Sequence, residues 1–162
     1  MASDARLVVI GVGNDFRRDD GVGWAVIRRL QEGAVQRRLP PGTALLLSDG
    51  EPGRLLTLWQ DAELAVLVDA AHAHPAHPGR IHRLELDTAG LPVPSAAGSH
   101  GLGLGEAVEL ARALGRLPAR LVVFAVEGSD GALGTGLSAP VAAAVAPVVE
   151  RVAAELARQA QP

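Results

Sequence analysis

The sequence predicts an α/β fold. The expected form is a three-layer sandwich: a mainly parallel, twisted sheet of about five strands, one edge strand antiparallel, with helices on both faces. Three observations lead there. Short unbroken apolar runs at residues 7–12, 64–68 and 121–126 have the composition of strands buried on both sides. Stretches with apolar residues at helical spacing separate them. The resulting order, βαβαββαβα, is the alternation that builds parallel sheets through helical crossovers.

Each element follows from its residues. Residues 7–12 are apolar and β-branched and form the first strand; a helix over 20–37 follows, with Val22, Ala25, Val26, Arg29 and Leu30 on one stripe. Pro40-Pro41-Gly42 breaks the chain, and the second strand at 44–47 ends in Ser48-Asp49-Gly50. A short helix over 54–60 precedes the third strand, 64–68, which ends at Asp69. Residues 80–86 alternate apolar and polar, the pattern of an antiparallel edge. Residues 87–99 are rich in Pro, Gly, Ala and Ser and read as a loop. Then come a helix over 100–114, a central strand over 121–126 and a closing helix from 138 or 140 to 159. No repeat or linker divides the chain, so residues 1–162 form a single domain.

Composition removes several functions. The net charge of −3 supplies no electrostatic footprint for nucleic acid. The absence of cysteine excludes disulfides, thiolate metal sites and cysteine nucleophiles. The polar first six residues do not read as a signal peptide. The alanine-rich end carries Pro140, Pro147, Glu150, Arg151 and Glu155 and does not span a membrane. A cytoplasmic location without membrane insertion is the expectation.

The stretch Val9-Ile10-Gly11-Val12-Gly13-Asn14, followed by Asp19-Asp20-Gly21-Val22-Gly23, places a glycine turn and two carboxylates where a helix begins. Such a turn suits a nucleotide or a metal. The dinucleotide fingerprint fails because Phe16 stands at the third glycine position and acids crowd the phosphate position. A phosphate-binding Walker loop needs a lysine, and the chain has none. No Gly-x-Ser-x-Gly elbow is present. In open parallel sheets, sites form beyond the carboxyl ends of the strands. That rule gathers Asp19, Asp20, Asp49, Asp69 and Glu127 at one rim, with His100 in reach at a helix start. Asp20, Asp69 and His100 make a mixed oxygen and nitrogen set for a borderline divalent ion such as nickel or zinc. Taken singly, each also has a plain structural use: a helix cap, a strand-end turn and a surface histidine.

With these residues in hand, the chain resembles the hydrogenase maturation proteases. The resemblance rests on Gly11-Val12-Gly13-Asn14 with Asp19-Asp20-Gly21-Val22-Gly23, on Val68-Asp69-Ala70, and on Ser99-His100-Gly101-Leu102-Gly103-Leu104. Glu127 and Gly136-Leu137-Ser138 complete it. It implies an endopeptidase, often classed as aspartic-type, that trims the C-terminal extension of a nickel-iron hydrogenase large-subunit precursor after nickel insertion. It also implies that Asp20, Asp69 and His100 bind nickel, with Asp20 or Asp69 as the catalytic carboxylate. Nickel borne by the substrate is the favoured version, because a permanent metal would not sense loading; other divalent ions can substitute. The alternative function is a nickel-binding chaperone or checkpoint protein that holds the immature hydrogenase uncut.

The chain departs from the family at Asp49-Gly50-Glu51-Pro52-Gly53, where many members carry Asp-Gly-Gly-Thr. Glu51 is therefore either a specificity residue or a turn acid in water. The loop tip Asp15-Phe16-Arg17-Arg18 is placed to meet the partner's extension. His72, His74, His77 and His82 read as an exposed loop between strands, without fixed metal-ligand spacing. Trp24 and Trp59 are expected to pack against the sheet.

Overall fold

In the computed structural model, described for residues 5–87, 104–129 and 134–161, the buried runs pair into one five-stranded sheet. The strands are β1 (Leu7–Val12), β2 (Ala44–Ser48), β3 (Leu64–Ala71), β4 (Ile81–Asp87) and β5 (Arg120–Glu127), in the spatial order β2-β1-β3-β5-β4. The first three and β5 run parallel, and β4 closes the far edge antiparallel to β5. The helices are α1 (Val22–Leu30), α2 (Gly33–Gln36), α3 (Pro52–Trp59), α4 (Leu104–Leu114) and α5 (Ala139–Ala160).

Because side chains alternate along a strand, each central strand feeds two cores. Val9, Val66, Val68 and Phe124 pack with Val26, Ile27, Val148 and Val152 of α1 and α5. Val8, Ile10, Leu67 and Val123 pack with Leu55, Trp59, Ala107 and Val108 of α3 and α4. The three-layer expectation is met. Among the described residues no helix is long and apolar enough to cross a membrane.

Most boundaries agree with the sequence reading to within one residue; the larger differences have physical reasons. The helix expected over 20–37 divides into a 3-10 turn at Arg18–Gly21, α1 and the short α2, because Glu32 takes an extended conformation ahead of Gly33. α3 starts at Pro52, two residues early, since Glu51 caps it. β3 runs three residues past 68, so Asp69 lies inside the strand, opposite Ala125, instead of after it. Of the helix expected over 100–114, residues 104–114 are helical; of the loop expected over 87–99, Asp87 ends β4 instead, and 88–103 lie outside the described residues.

Two glycines let α1 lie directly on the sheet. A Cβ on Gly23 would stand 2.3 Å from the Val68 carbonyl oxygen and 2.6 Å from that of Val12, and one on Gly11 would stand 2.4 Å from the Gly23 oxygen. Neither backbone can yield without lifting α1 from β1 and β3. Gly23→Ala is therefore expected to cost about 2 kcal/mol in urea unfolding, despite alanine's better helix propensity. An unchanged midpoint would show that α1 can move.

Candidate active site

The carboxyl ends of β1, β2, β3 and β5 share one rim, and the turn after β1 shapes it. Gly13 has φ +148° and packs so closely that a Cβ would lie 2.0 Å from the Asp20 carbonyl oxygen. The Asn14 N–H donates to that same oxygen at 3.1 Å, and the Asp20 N–H donates to the Arg17 carbonyl at 3.0 Å. Residues 13–20 thus fold into a closed loop. Gly13 permits the contact that brings Asp20 back over the end of β1.

Asp69 comes up from β3. By alternation its side chain shares the sheet face of Ala65 and Leu67, the face covered by α3 and α4. It is buried, and Oδ1 accepts the Ala70 N–H at 2.8 Å. Burial pushes its carboxyl well above the usual range, and the Asp20 charge pushes in the same direction against the Ala70 bond. Asp20 is also raised by burial, opposed by His72, Arg17 and the Asn14 amide. Two carboxylates that repel at a desolvated rim favour a proton or a cation between them. Their oxygen donors suit a divalent ion, provided further ligands complete the set. Among the described residues no group of three His, Cys, Asp or Glu is arranged to hold a metal ion. His100 lies outside the described residues, four positions before α4 begins on the Asp69 face.

The other acids do not join this pair. Asp19 is buried, and Ser129 and Ser138 take up its carboxylate. Its Oδ1 accepts the Ser138 N–H at 2.7 Å, and Oδ2 accepts the Ser129 N–H at 2.9 Å and the hydroxyls of Ser129 and Ser138. Burial alone would raise its carboxyl, but these bonds outweigh it and hold it below the ordinary value. Glu127 is also buried. It accepts the His77 N–H at 3.0 Å and bonds His82 Nε2 at 2.7 Å, and both interactions lower its carboxyl. It fastens the histidine-rich segment to β5. Asp49 is exposed and accepts the Glu51 N–H in its own turn.

The remaining sequence expectations sort by geometry. His72, His74 and His77 are exposed between β3 and β4, but His82 belongs to β4 because its strand pairs with Ala125. His72, in the loop after β3, comes near enough to Asp20 to favour the charged form of that carboxyl. Its position directly after β3 was the available signal. Trp59 is fully buried and donates to the Arg116 carbonyl; Trp24 is half-buried and donates to the Ser48 carbonyl. Glu51 is exposed, as its plain structural use requires, and it is the N-cap of α3, accepting from Gly53 and Arg54 at 2.9 and 2.8 Å. Glu51→Ala should cost about 1 kcal/mol of stability, read by urea unfolding, and leave precursor choice unaltered. A changed substrate preference at full stability would restore the specificity role.

Residues 33–155 match the family model described as hydrogenase maturation protease, a match that begins after the Gly11–Gly23 motif. The "Hydrogenase 2 maturation protease" of Escherichia coli is 26% identical over 152 residues, covering 93% of this chain and 90% of that protein. The "Hydrogenase expression/formation protein HupD" of Bradyrhizobium diazoefficiens is 28% identical over 156 residues, covering 92% and 77%. The solution structure of an endopeptidase from Escherichia coli superposes with a TM-score of 0.76 at 25% identity, covering 96% of this chain and 94% of that one.

Proposed function

The chain belongs to the hydrogenase maturation protease family, and from that premise we propose that it removes the C-terminal extension of a nickel-iron hydrogenase large-subunit precursor once nickel has been inserted. As a member of that family it is an endopeptidase. The observation that carries the finer reading is the convergence of Asp20 and Asp69 at one desolvated rim, each raised by burial and the second raised further by the first.

Asp20, Asp69 and His100 grasp the nickel that the precursor carries, so the metal serves as the tag of a loaded substrate. The carboxylates supply the anionic ligands, and the repelling pair, Asp69 buried and Asp20 half-buried, gains from a cation that relieves the repulsion. Seating the metal fixes the chain beyond it against the rim. A carboxylate of the pair then takes the proton from the attacking water. The peptide bond breaks to a new carboxyl on the large subunit and a new amine on the released extension.

The test is mass spectrometry of nickel-loaded and nickel-free precursors after incubation with the protein. A discrete loss of the C-terminal peptide from the loaded form alone is the expected result. Equal cutting of both forms would overturn nickel recognition, and binding without cutting would mark a checkpoint protein instead.

A further inference from the structure

The two edges of the sheet are built differently. β4, at one edge, carries His82, Arg83 and Glu85, the charges that keep an open edge from pairing with other chains. β2, at the other edge, reads Ala44-Leu45-Leu46-Leu47-Ser48 without a charge or a proline. The Ser48 carbonyl accepts the Gly13 N–H, so in this parallel pair Ala44, Leu46 and Ser48 turn their main-chain groups toward β1. Leu45 and Leu47 turn theirs outward, where no strand pairs with them among the described residues. Leu47 is also 37% exposed, a bare leucine on a bare edge.

This edge leads to the active rim. Ser48 ends it, and its carbonyl also accepts Trp24 Nε1, tying the strand end to α1 beside Gly13 and Asp20. We infer that the outer edge of β2 is the docking strand for the substrate: the extension beyond the cut adds to it as an extended, uncharged β-strand. The identity of that occupant rests on the proposed function. An endopeptidase needs its substrate extended, and strand addition supplies main-chain bonds without demanding a particular side chain. Leu45 and Leu47 offer both donors and acceptors, and Leu47 offers an apolar contact. A strand added there lies about 14 Å from β3, three strand spacings away, so about four residues separate the docked segment from the cut.

Amide exchange resolved by NMR tests this on the whole protein with a synthetic peptide of the extension. Leu45 and Leu47 amides should become protected when the peptide is added, while Leu46, already bonded toward β1, should not change. Leu47→Pro removes one outward donor at an edge position that tolerates proline. It should raise KM for the full precursor about tenfold, the worth of one or two hydrogen bonds, with kcat within about twofold of wild type. A precursor trimmed to three residues beyond the cut should be processed equally by both proteins. Leu45 and Leu47 amides that exchange as fast with peptide as without, or a folded Leu47→Pro protein with wild-type KM, would overturn the inference. Failure to cut any precursor would strike the protease reading instead and leave amide exchange to judge the edge.

Discussion

Asp69→Asn is expected to abolish processing and, at neutral pH, to make the protein more stable. The loss follows from the site: the substitution keeps the shape and the bond from Ala70 while removing the charge that ligates nickel or accepts a proton. A fall of about 10³ in kcat/KM is the scale for a missing catalytic base. The gain follows from burial, which raises the folded-state carboxyl well above its unfolded value. Folding therefore takes up a proton between those two values, and wild-type stability declines as pH rises through that window. Asn carries no such cost. Its advantage should be about 1 kcal/mol at pH 7, or a rise of about 2–4 °C in Tm, and should vanish below about pH 3.9. Asp20→Asn and His100→Ala should also stop cleavage with the fold retained. Cleavage near the wild-type rate by any of the three removes that residue from the site, and a lower Tm for Asp69→Asn would mean that its carboxylate is compensated in the folded state.

The strands were legible because burial on both faces leaves unbroken apolar runs, and β4 was legible as an edge because its alternation marks one wet face. The acids were harder. Asp20 and Asp69 follow from the rule that sites form at strand ends. The same rule also gathers Asp49 and Glu127, whose carboxyls bond elsewhere, since strand position does not say where a carboxyl points. Glu127 turns to His77 and His82, contacts set by the return of the chain into β4. The Glu51 cap had a local signal, a proline directly after it, which marks a first helical position. Asp19 had a partial one. Ser138 closes the Gly136-Leu137-Ser138 motif, but Ser129, 110 residues from Asp19, becomes its neighbour only when β5 lies beside β3.

That clamp should be the costliest single contact to lose. Ser138 is the N-cap of α5, but its side chain makes no cap bond to its own helix; its amide and hydroxyl both donate to Asp19. Asp19→Ala takes the acceptor from half-buried Ser138 at the start of α5 and from Ser129 after β5, and about 2 kcal/mol is expected, a drop of about 4–8 °C in Tm. Asn is little better, because the two carboxylate oxygens accept from different backbone amides and an NH₂ group must face one of those donors. The pH dependence runs opposite to that of Asp69. The folded carboxyl lies below its unfolded value, so the stabilisation is complete above about pH 3.9 and is lost as pH falls through the folded value. Wild type and Asp19→Ala should therefore differ most at neutral pH and converge in acid, as measured by thermal melts across that range. Parallel melts with a constant gap would assign the cost to packing. Because Asp19 directly precedes Asp20, the same variant assayed well below its Tm should lose kcat, whereas a purely remote support for α5 would leave turnover intact.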